Sequence, residues 1–532
     1  MYPIKGVLMN NPKYLFIGLL LSASATSICV SKNNCQSSFN ACSTACSSKN
    51  DCSECLTVSE SCSDSCSFSS ASDNYCSYTS NNCENTNYRP GFILRPFTTD
   101  QTLENAVFMY DVYHNNEGRK DDSKIDFQAA YFHRSSRSKS TGAGLYLGKN
   151  NLVIKQDGTG DINSLWLGLA NSEGNFEDVL KYNPTYKVDG AYFGARFDLD
   201  DMACGLWFST NAAFLRLKNK MQLCGGLLDS QICDGIDARD ALGYNLGLED
   251  SASNGQMFID EIQFKLGYDY FIGKNNDNHV GIYLMGTAPT RRSQTDVTPD
   301  GESAYAHLIS GRGSFGFGVT GDWTMWTCND HSLNWLADLK YRYIFKGNER
   351  RSFNLKNGPL SGAVLQGVLA DNPQNSFSLG DALYLPVTVK PGSSLDLWTA
   401  MHYQFNDYGI ELGYDFFYLQ KEKVALRQSF NKNLIGILDI DGLVFSASKA
   451  GINDLAPAAD EAFVALTDDN LNAASVMTNR AMSHKFYLAL SHRNEMCCAP
   501  IDLSVGGEYE YASKSQPMLS QWGLFIKGSM NF

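Results

Sequence analysis

Apolar residues recur at every second position over long stretches of the chain. Over 261–271, Ile262, Phe264, Leu266, Tyr268 and Tyr270 share one face, and Gln263, Lys265, Gly267 and Asp269 share the other. A period of two puts successive side chains on opposite faces of a β-strand. The turn-rich run Gly273-Lys274-Asn275-Asn276-Asp277-Asn278 then leads back into Val280, Ile282, Leu284 and Gly286, which predicts a hairpin. From His331 to Phe345, Leu333, Trp335, Ala337, Leu339, Tyr341, Tyr343 and Phe345 alternate with Asn334, Leu336, Asp338, Lys340, Arg342 and Ile344. Leu395 to Tyr418 reads as a second hairpin, turning at Asn406-Asp407. Ile501 to Tyr511 alternates apolar positions with Asp502, Ser504, Gly506, Glu508 and Glu510. Weaker alternation predicts strands at Asp126–Arg134, Gly142–Gly148, Ser164–Leu169, Val188–Leu199, Gly205–Leu217 and Ser314–Trp323.

These runs reach about 10 residues or more, the length of a tilted membrane strand. Strands of soluble sheets are nearer five or six residues. The face opposite the apolar one carries charges that a packed core would not hold and a water-filled lumen would. The expectation is therefore an all-β, transmembrane antiparallel barrel of roughly 14–18 strands, an even number being the rule. Long segments at 218–256, 290–309, 347–380 and 431–484 would be loops on one rim, with Ala456–Arg480 as a loop helix. Where the barrel begins is not legible: Phe92–Phe97 contains Pro96, and Glu104–Val112 alternates poorly.

The final stretch ties these runs to one class. Trp522, Leu524, Ile526, Gly528, Met530 and Phe532 alternate with Gly523, Phe525, Lys527, Ser529 and Asn531. A strand edge left open is not tolerated in lipid, whereas closure of a barrel uses the last strand fully. This ending resembles the C-terminal strand of bacterial outer-membrane β-barrels. The resemblance, of pattern rather than of motif, is to porin-like proteins. It implies outer-membrane lipid as surroundings, the barrel-assembly machinery as a partner recognising the strand that ends at Phe532, passive diffusion of small hydrophilic solutes, and a possible homo-oligomer.

The N-terminus is organised differently. Lys5 and Lys13 precede an apolar run from Tyr14 to Leu21, and Ala23-Ser24-Ala25 fits a small-x-small cleavage site, so 1–25 reads as an export signal. Residues 26–90 form a cysteine-rich module with its linker, and 91–532 the barrel. The module holds Cys29, Cys35, Cys42, Cys46, Cys52, Cys55, Cys62, Cys66, Cys76 and Cys83. Cys35, Cys42 and Cys46 recur in spacing as Cys55, Cys62 and Cys66, and Cys76 and Cys83 repeat the first half. A disulfide framework suits an exported segment without an apolar core. A zinc site at Cys52-x-x-Cys55 lacks a second pair, and cross-linking to other envelope proteins is a third reading. Cys224 and Cys233 share one loop and are disulfide candidates there. Cys497 and Cys498, adjacent and so poorly placed to bond each other, look to Cys328, Cys204 or another chain.

Composition changes the picture little. Aromatic residues make up 12% of the 532, which suits interfacial girdles, and a net charge of −14 argues against a nucleic-acid partner. Gly311-Arg312-Gly313-Ser314-Phe315-Gly316 matches a dinucleotide fingerprint but leads into a strand pattern rather than a helix. No zinc-hydrolase histidine pair or nucleophile-elbow motif occurs, so no enzyme, metal or cofactor is expected. The residues expected to line the lumen are Lys265, Asp269, Asp338, Lys340, Arg342, Asp502, Glu508 and Glu510, whose opposed charges would tune ion preference. The competing expectation is a surface adhesin or structural envelope protein with a filled barrel, cross-linked through its cysteine-rich module.

Overall fold

The computed structural model describes residues 93–114, 125–136, 151–167, 174–224, 257–273, 278–290, 307–308, 312–356, 361–429, 434–438, 444–445, 463–496, 499–513 and 517–531, with isolated positions 169 and 358. Twelve strands close into one antiparallel barrel. They are β1 (Ile125–Ser136), β2 (Glu177–Asp198), β3 (Leu206–Cys224), β4 (Met257–Ile272), β5 (Asn278–Pro289), β6 (Ser314–Cys328), β7 (His331–Ile344), β8 (Ser393–Phe405), β9 (Tyr408–Leu419), β10 (Ala481–Met496), β11 (Ala499–Ala512) and β12 (Gln521–Asn531). Each strand pairs with its sequence neighbours, and β12 returns to β1 from Gln521↔Ser136 to Asn531↔Asp126. The order is a plain meander with no edge left open, as lipid requires.

The count of twelve corrects the expected range of roughly 14–18. Two causes act in opposite directions. Some alternating or apolar runs between barrel strands belong to small sheets outside the wall. One wall strand, β10, was not anticipated, because its inward residues Ser483, Lys485 and Ser491 alternate with a mixed outer face containing His484 and His492. The predicted hairpins at 273–278 and Asn406-Asp407 are the turns between β4 and β5 and between β8 and β9. Asn406 takes the positive φ of 49° that so short a turn demands.

The two rims differ. The β2–β3, β4–β5, β6–β7, β8–β9 and β10–β11 connections are tight, whereas most connections on the opposite rim are long. On the long-loop rim, Asn151–Lys155 pairs with the overhanging start of β2. Three further small sheets form there: Gly347–Ser352 with Tyr384–Lys390 and Lys423–Leu426; Asn354–Leu355 with Leu471–Asn472; and Gln366–Leu369 with Asn372–Ser378 and Ile435–Leu438, the last joined by Val444–Phe445. Their apolar residues make a core of their own, including Ile154, Trp166, Phe353, Leu355, Leu383, Val389, Ile437 and Val476. This is a folded cap rather than a set of free loops.

Two expected elements are absent from the cap. Ser164–Leu167 is a 3-10 turn, not a strand; the Asn163 side chain accepts from Leu165 N at 3.1 Å and bends the chain. The described part of Ala456–Arg480 holds two 3-10 turns and the short strand Leu471–Asn472, and no α-helix. Asn470 and Asn472 bind nearby backbone N–H groups at 2.8 and 3.1 Å and compete with a helix. The predicted strand Gly142–Gly148, the signal segment and the cysteine-rich module lie outside the described residues.

The wall is apolar outside and polar inside. Tyr270, Ile282, Leu412 and Ile526 are 60–64% exposed on the outer face, among a belt of aromatic and branched side chains. So wide an apolar surface is a liability in water and the normal state of a barrel in lipid. Inward, Gly413 and Gly506 leave room for the neighbouring rings of Tyr487 and Phe525 to lie flat on the wall; a Cβ at either position would strike them.

Candidate functional site

The lumen of this barrel is occupied by its own chain. Residues 93–114 run down the inside before the first wall strand begins. Ile93–Leu94 pairs in parallel with His307–Leu308, in the β5–β6 loop, so the segment enters at the long-loop mouth. Its later residues meet the short-turn ends of the strands: Tyr110 stacks on His402 at 4.0 Å and Tyr113 on His279 at 3.5 Å. Two short helices form on the way, α1 (Gln101–Asn105) and α2 (Phe108–His114). Val107 joins them with a φ of 62°, a left-handed conformation that is strained for a β-branched residue. The wall holds it there: Val107 N donates to both carboxylate oxygens of Glu411 at 3.1 Å.

Each end of α1 is satisfied by a charged group. At its start Asp100 Oδ1 accepts from Thr102 N at 3.0 Å and Leu103 N at 3.3 Å, as an N-cap should. Asp100 Oδ2 pairs with Lys485 at 2.5 Å and with Arg134 at 2.8 Å. Beyond the last turn Lys527 Nζ donates to the carbonyls of Leu103, Glu104 and Ala106 at 3.1, 2.9 and 2.8 Å. A cation at these carbonyls complements the C-terminal end of the helix.

Further ion pairs bind the segment to the wall. Arg95 meets Asp415 at 2.7 Å, Asp396 at 3.1 Å and Glu510 at 3.4 Å. Glu104 meets Lys265 at 2.6 Å and Lys340 at 3.8 Å, and accepts from Asn211 at 2.8 Å. The backbone N–H groups of Phe97 and Thr98 donate to Asp260 at 2.6 and 3.0 Å. Apolar contacts complete the seat: Leu103, Val107, Phe108 and Met109 pack against Phe132, Tyr192, Trp398, Tyr487 and Phe525 of the wall. What space remains includes a cavity of about 50 Å³ beside Glu104, Asn105, Tyr113, Arg196 and Lys265, enough for a water molecule or two.

All eight residues expected to line the lumen are buried on the inward face. Four of them touch the inner segment. Lys265 and Glu510 pair with Glu104 and Arg95; Asp338 accepts from Asn105 Nδ2 at 3.0 Å; Lys340 Nζ donates to Thr99 O at 2.6 Å. The other four pair within the wall: Asp269 with Arg196 at 2.8 Å, Arg342 with Glu261 at 2.8 Å, Asp502 with Arg493 at 2.9 Å, and Glu508 with Arg134. They therefore line a filled interior, not an open bore.

Sequence reasoning passed over the residues that matter most here. Asp396, Asp415 and Lys527 sit at inward positions of strands whose alternation was legible, and could have been named by the same rule. Arg95, Asp100 and Glu104 could not, because nothing in a poorly alternating stretch marks it as the filling of a barrel.

Of the disulfide candidates, Cys35, Cys42, Cys46, Cys52, Cys55, Cys62, Cys66, Cys76, Cys83 and Cys233 lie outside the described residues, and Cys224 is the last residue of β3. Cys204 and Cys328 are exposed free thiols beside the β2–β3 and β6–β7 turns.

No protein-family model and no curated protein sequence matches the chain. Solved structures show barrel likenesses. An outer membrane channel from Pseudomonas putida F1 is 9% identical, over 77% of this chain and 96% of that one, with a TM-score of 0.35. The Ralstonia pickettii toluene transporter TbuX is 10% identical over 77% and 90%, with a TM-score of 0.27. The transport unit of the autotransporter AIDA-I from Escherichia coli is 5% identical over 82% and 99%, with a TM-score of 0.23. At such scores none of them bears on what this chain does; the barrel assignment rests on its own closed strand ladder.

Proposed function

We propose that the protein is an outer-membrane channel of a diderm bacterium, passing small hydrophilic solutes when residues 93–114 leave or shift within the lumen, and shut when they are seated. The observation that carries this is the chemistry of the inner wall. It is lined with charged and polar groups that meet the inner segment largely across ion pairs and hydrogen bonds. Apolar packing fills a permanent core at least as well as buried ion pairs do. A charged wall is the surface that remains wettable once the segment moves. Twelve strands enclose more space than eight, whose interior side chains alone can fill, and less than the wide bores of the largest porins. One chain segment fits that intermediate lumen.

The test is conductance of the refolded full chain in a planar bilayer, with heat-modifiable gel migration as the check on barrel integrity. Glu104→Lys places a third cation beside Lys265 and Lys340 and is expected to raise conductance above that of the parent. A heat-modifiable barrel that passes no current in either form would sink the channel. It would leave the second reading, a filled barrel serving the envelope as a structural or surface-display protein. The cap favours that reading, since its separate apolar core makes a stable outward-facing platform.

A further inference from the structure

We propose that the outer face of β2 and β3, at the long-loop edge of the barrel, binds the phosphate of a lipid headgroup. Lys187 and Lys218 are direct partners across the two strands, and both side chains are exposed on the outward face. Like charges placed directly opposite each other on a sheet repel. Among the described residues neither ammonium pairs with a carboxylate. An anion between them would convert the repulsion into attraction.

The rows beneath are ordered. One step along the strands, His133, Asp189 and Arg216 stand side by side on β1, β2 and β3. The acidic group of that row is engaged, with Asp189 Oδ1 lying 2.7 Å from His133 Nδ1. In the next row come Tyr131, Ala191 and Phe214, and below it Phe193, whose ring meets Phe214 edge-on at 5.7 Å. The lysines thus stand four residues from the aromatic row, about 13 Å along the strand and about 10 Å along the membrane normal at usual tilts. That is the depth at which headgroups replace acyl chains. A lipid lying here would set its phosphate between the lysines and its chains against Tyr131, Phe214 and Phe193.

The proposal rests on the barrel sitting in a bilayer, and its test separates the two. The purified full chain is titrated in non-ionic detergent with dioleoyl phosphatidylglycerol and with dioleoylglycerol, and bound lipid is counted by native mass spectrometry. The phosphate-bearing lipid is expected to be retained at least about 25-fold more strongly, about five-fold for each lysine that meets the phosphate. Lys187→Gln with Lys218→Gln, both outside the folded interior, is expected to weaken its retention roughly five-fold per lysine, or roughly 25-fold together. Equal retention of the two lipids, or no loss in the double variant, would overturn the proposal. Displacement of the lipid by an equal concentration of inorganic phosphate would reassign the face to a free anion and also overturn it. The same preparation is offered to liposomes: a chain that fails to insert refutes the membrane reading, whereas one that inserts without discriminating between the lipids refutes this site alone.

Discussion

Replacing Asp100 by asparagine isolates one charge at the centre of the closed lumen. Asparagine caps a helix about as well as aspartate does, so the bonds from Thr102 N and Leu103 N to the side-chain oxygen survive. What goes is the negative charge facing Lys485 and Arg134. Arg134 keeps Glu508, whereas the nearest carboxylates left to Lys485 among the described residues are Asp415 and Glu508, each 3.7 Å away. Removing one member of a buried pair costs about 3–5 kcal/mol, because the other charge stays buried without its counterion. The residual partners place this case at the lower end, about 3 kcal/mol. If that energy holds the inner segment in its seat, the ratio of open to closed barrels rises on the order of a hundred-fold, since about 1.4 kcal/mol is a factor of ten. The assay is open probability of single channels in planar bilayers. A second variant, Lys485→Met, removes the stranded charge; with both changes present the effect should be much smaller than the sum of the two alone, as expected of residues that share one interaction. An unchanged open probability in a heat-modifiable Asp100→Asn barrel would show that this charge does not hold the segment. Additivity of the pair would show that Asp100 and Lys485 do not act together.

Three other outcomes are expected. Lys527→Met strips the cation from three carbonyls at the end of α1 and should speed amide exchange across 101–107 by at least ten-fold, with the wall strands unaffected. In the cap, burial pushes the Glu422 carboxyl up, but Arg351, which it binds at 2.7 Å, together with Arg312 and the Thr478 N–H, more than offsets this and holds it below its ordinary value of 4.5. Because the carboxyl titrates lower folded than unfolded, its stabilisation is full above that ordinary value and is lost as pH falls through the lower folded one; protease resistance of the cap should drop there, and Glu422→Gln should remove that part of the pH dependence. Outer-membrane barrels turn their longer loops outward, and Ile93 stands at the long-loop mouth, so a protease site introduced just ahead of it should be cut on intact cells; cleavage only after the cells are opened would refute that orientation.

Much of the wall was readable from local pattern. The alternation through 261–271, 331–345 and 501–511 divides each strand into two faces, and Lys265, Asp338, Lys340, Glu508 and Glu510 lie on the buried one. That works because a strand repeats every two residues and the solvents on its two sides differ. The strand count was not readable, because short cap strands and wall strands share the same residue preferences, and only closure of the ladder separates them. In the described part of the expected loop helix Ala456–Arg480 no α-helix forms, since the Asn470 and Asn472 side chains there capture backbone N–H groups that a helix would have used.

The inner segment shows where sequence pattern stops. Arg95, Asp100 and Glu104 are ordinary charged residues in a stretch with weak periodicity, and α1 and α2 are too short to announce themselves. Their helices exist because the wall supplies what the segment lacks: Lys485 and Arg134 at the cap, Lys527 at the far end, and Glu411 holding Val107 in a strained turn. Lys485, Lys527 and Glu411 lie hundreds of residues away along the chain, and Arg134 lies 34 residues from Asp100. Periodicity is a property of neighbours in sequence, so a barrel with an apolar outside and a charged inside was written into the chain one strand at a time. Whether that inside stood open or filled depended on contacts between distant residues, and those came into existence only when twelve strands closed around residues 93–114.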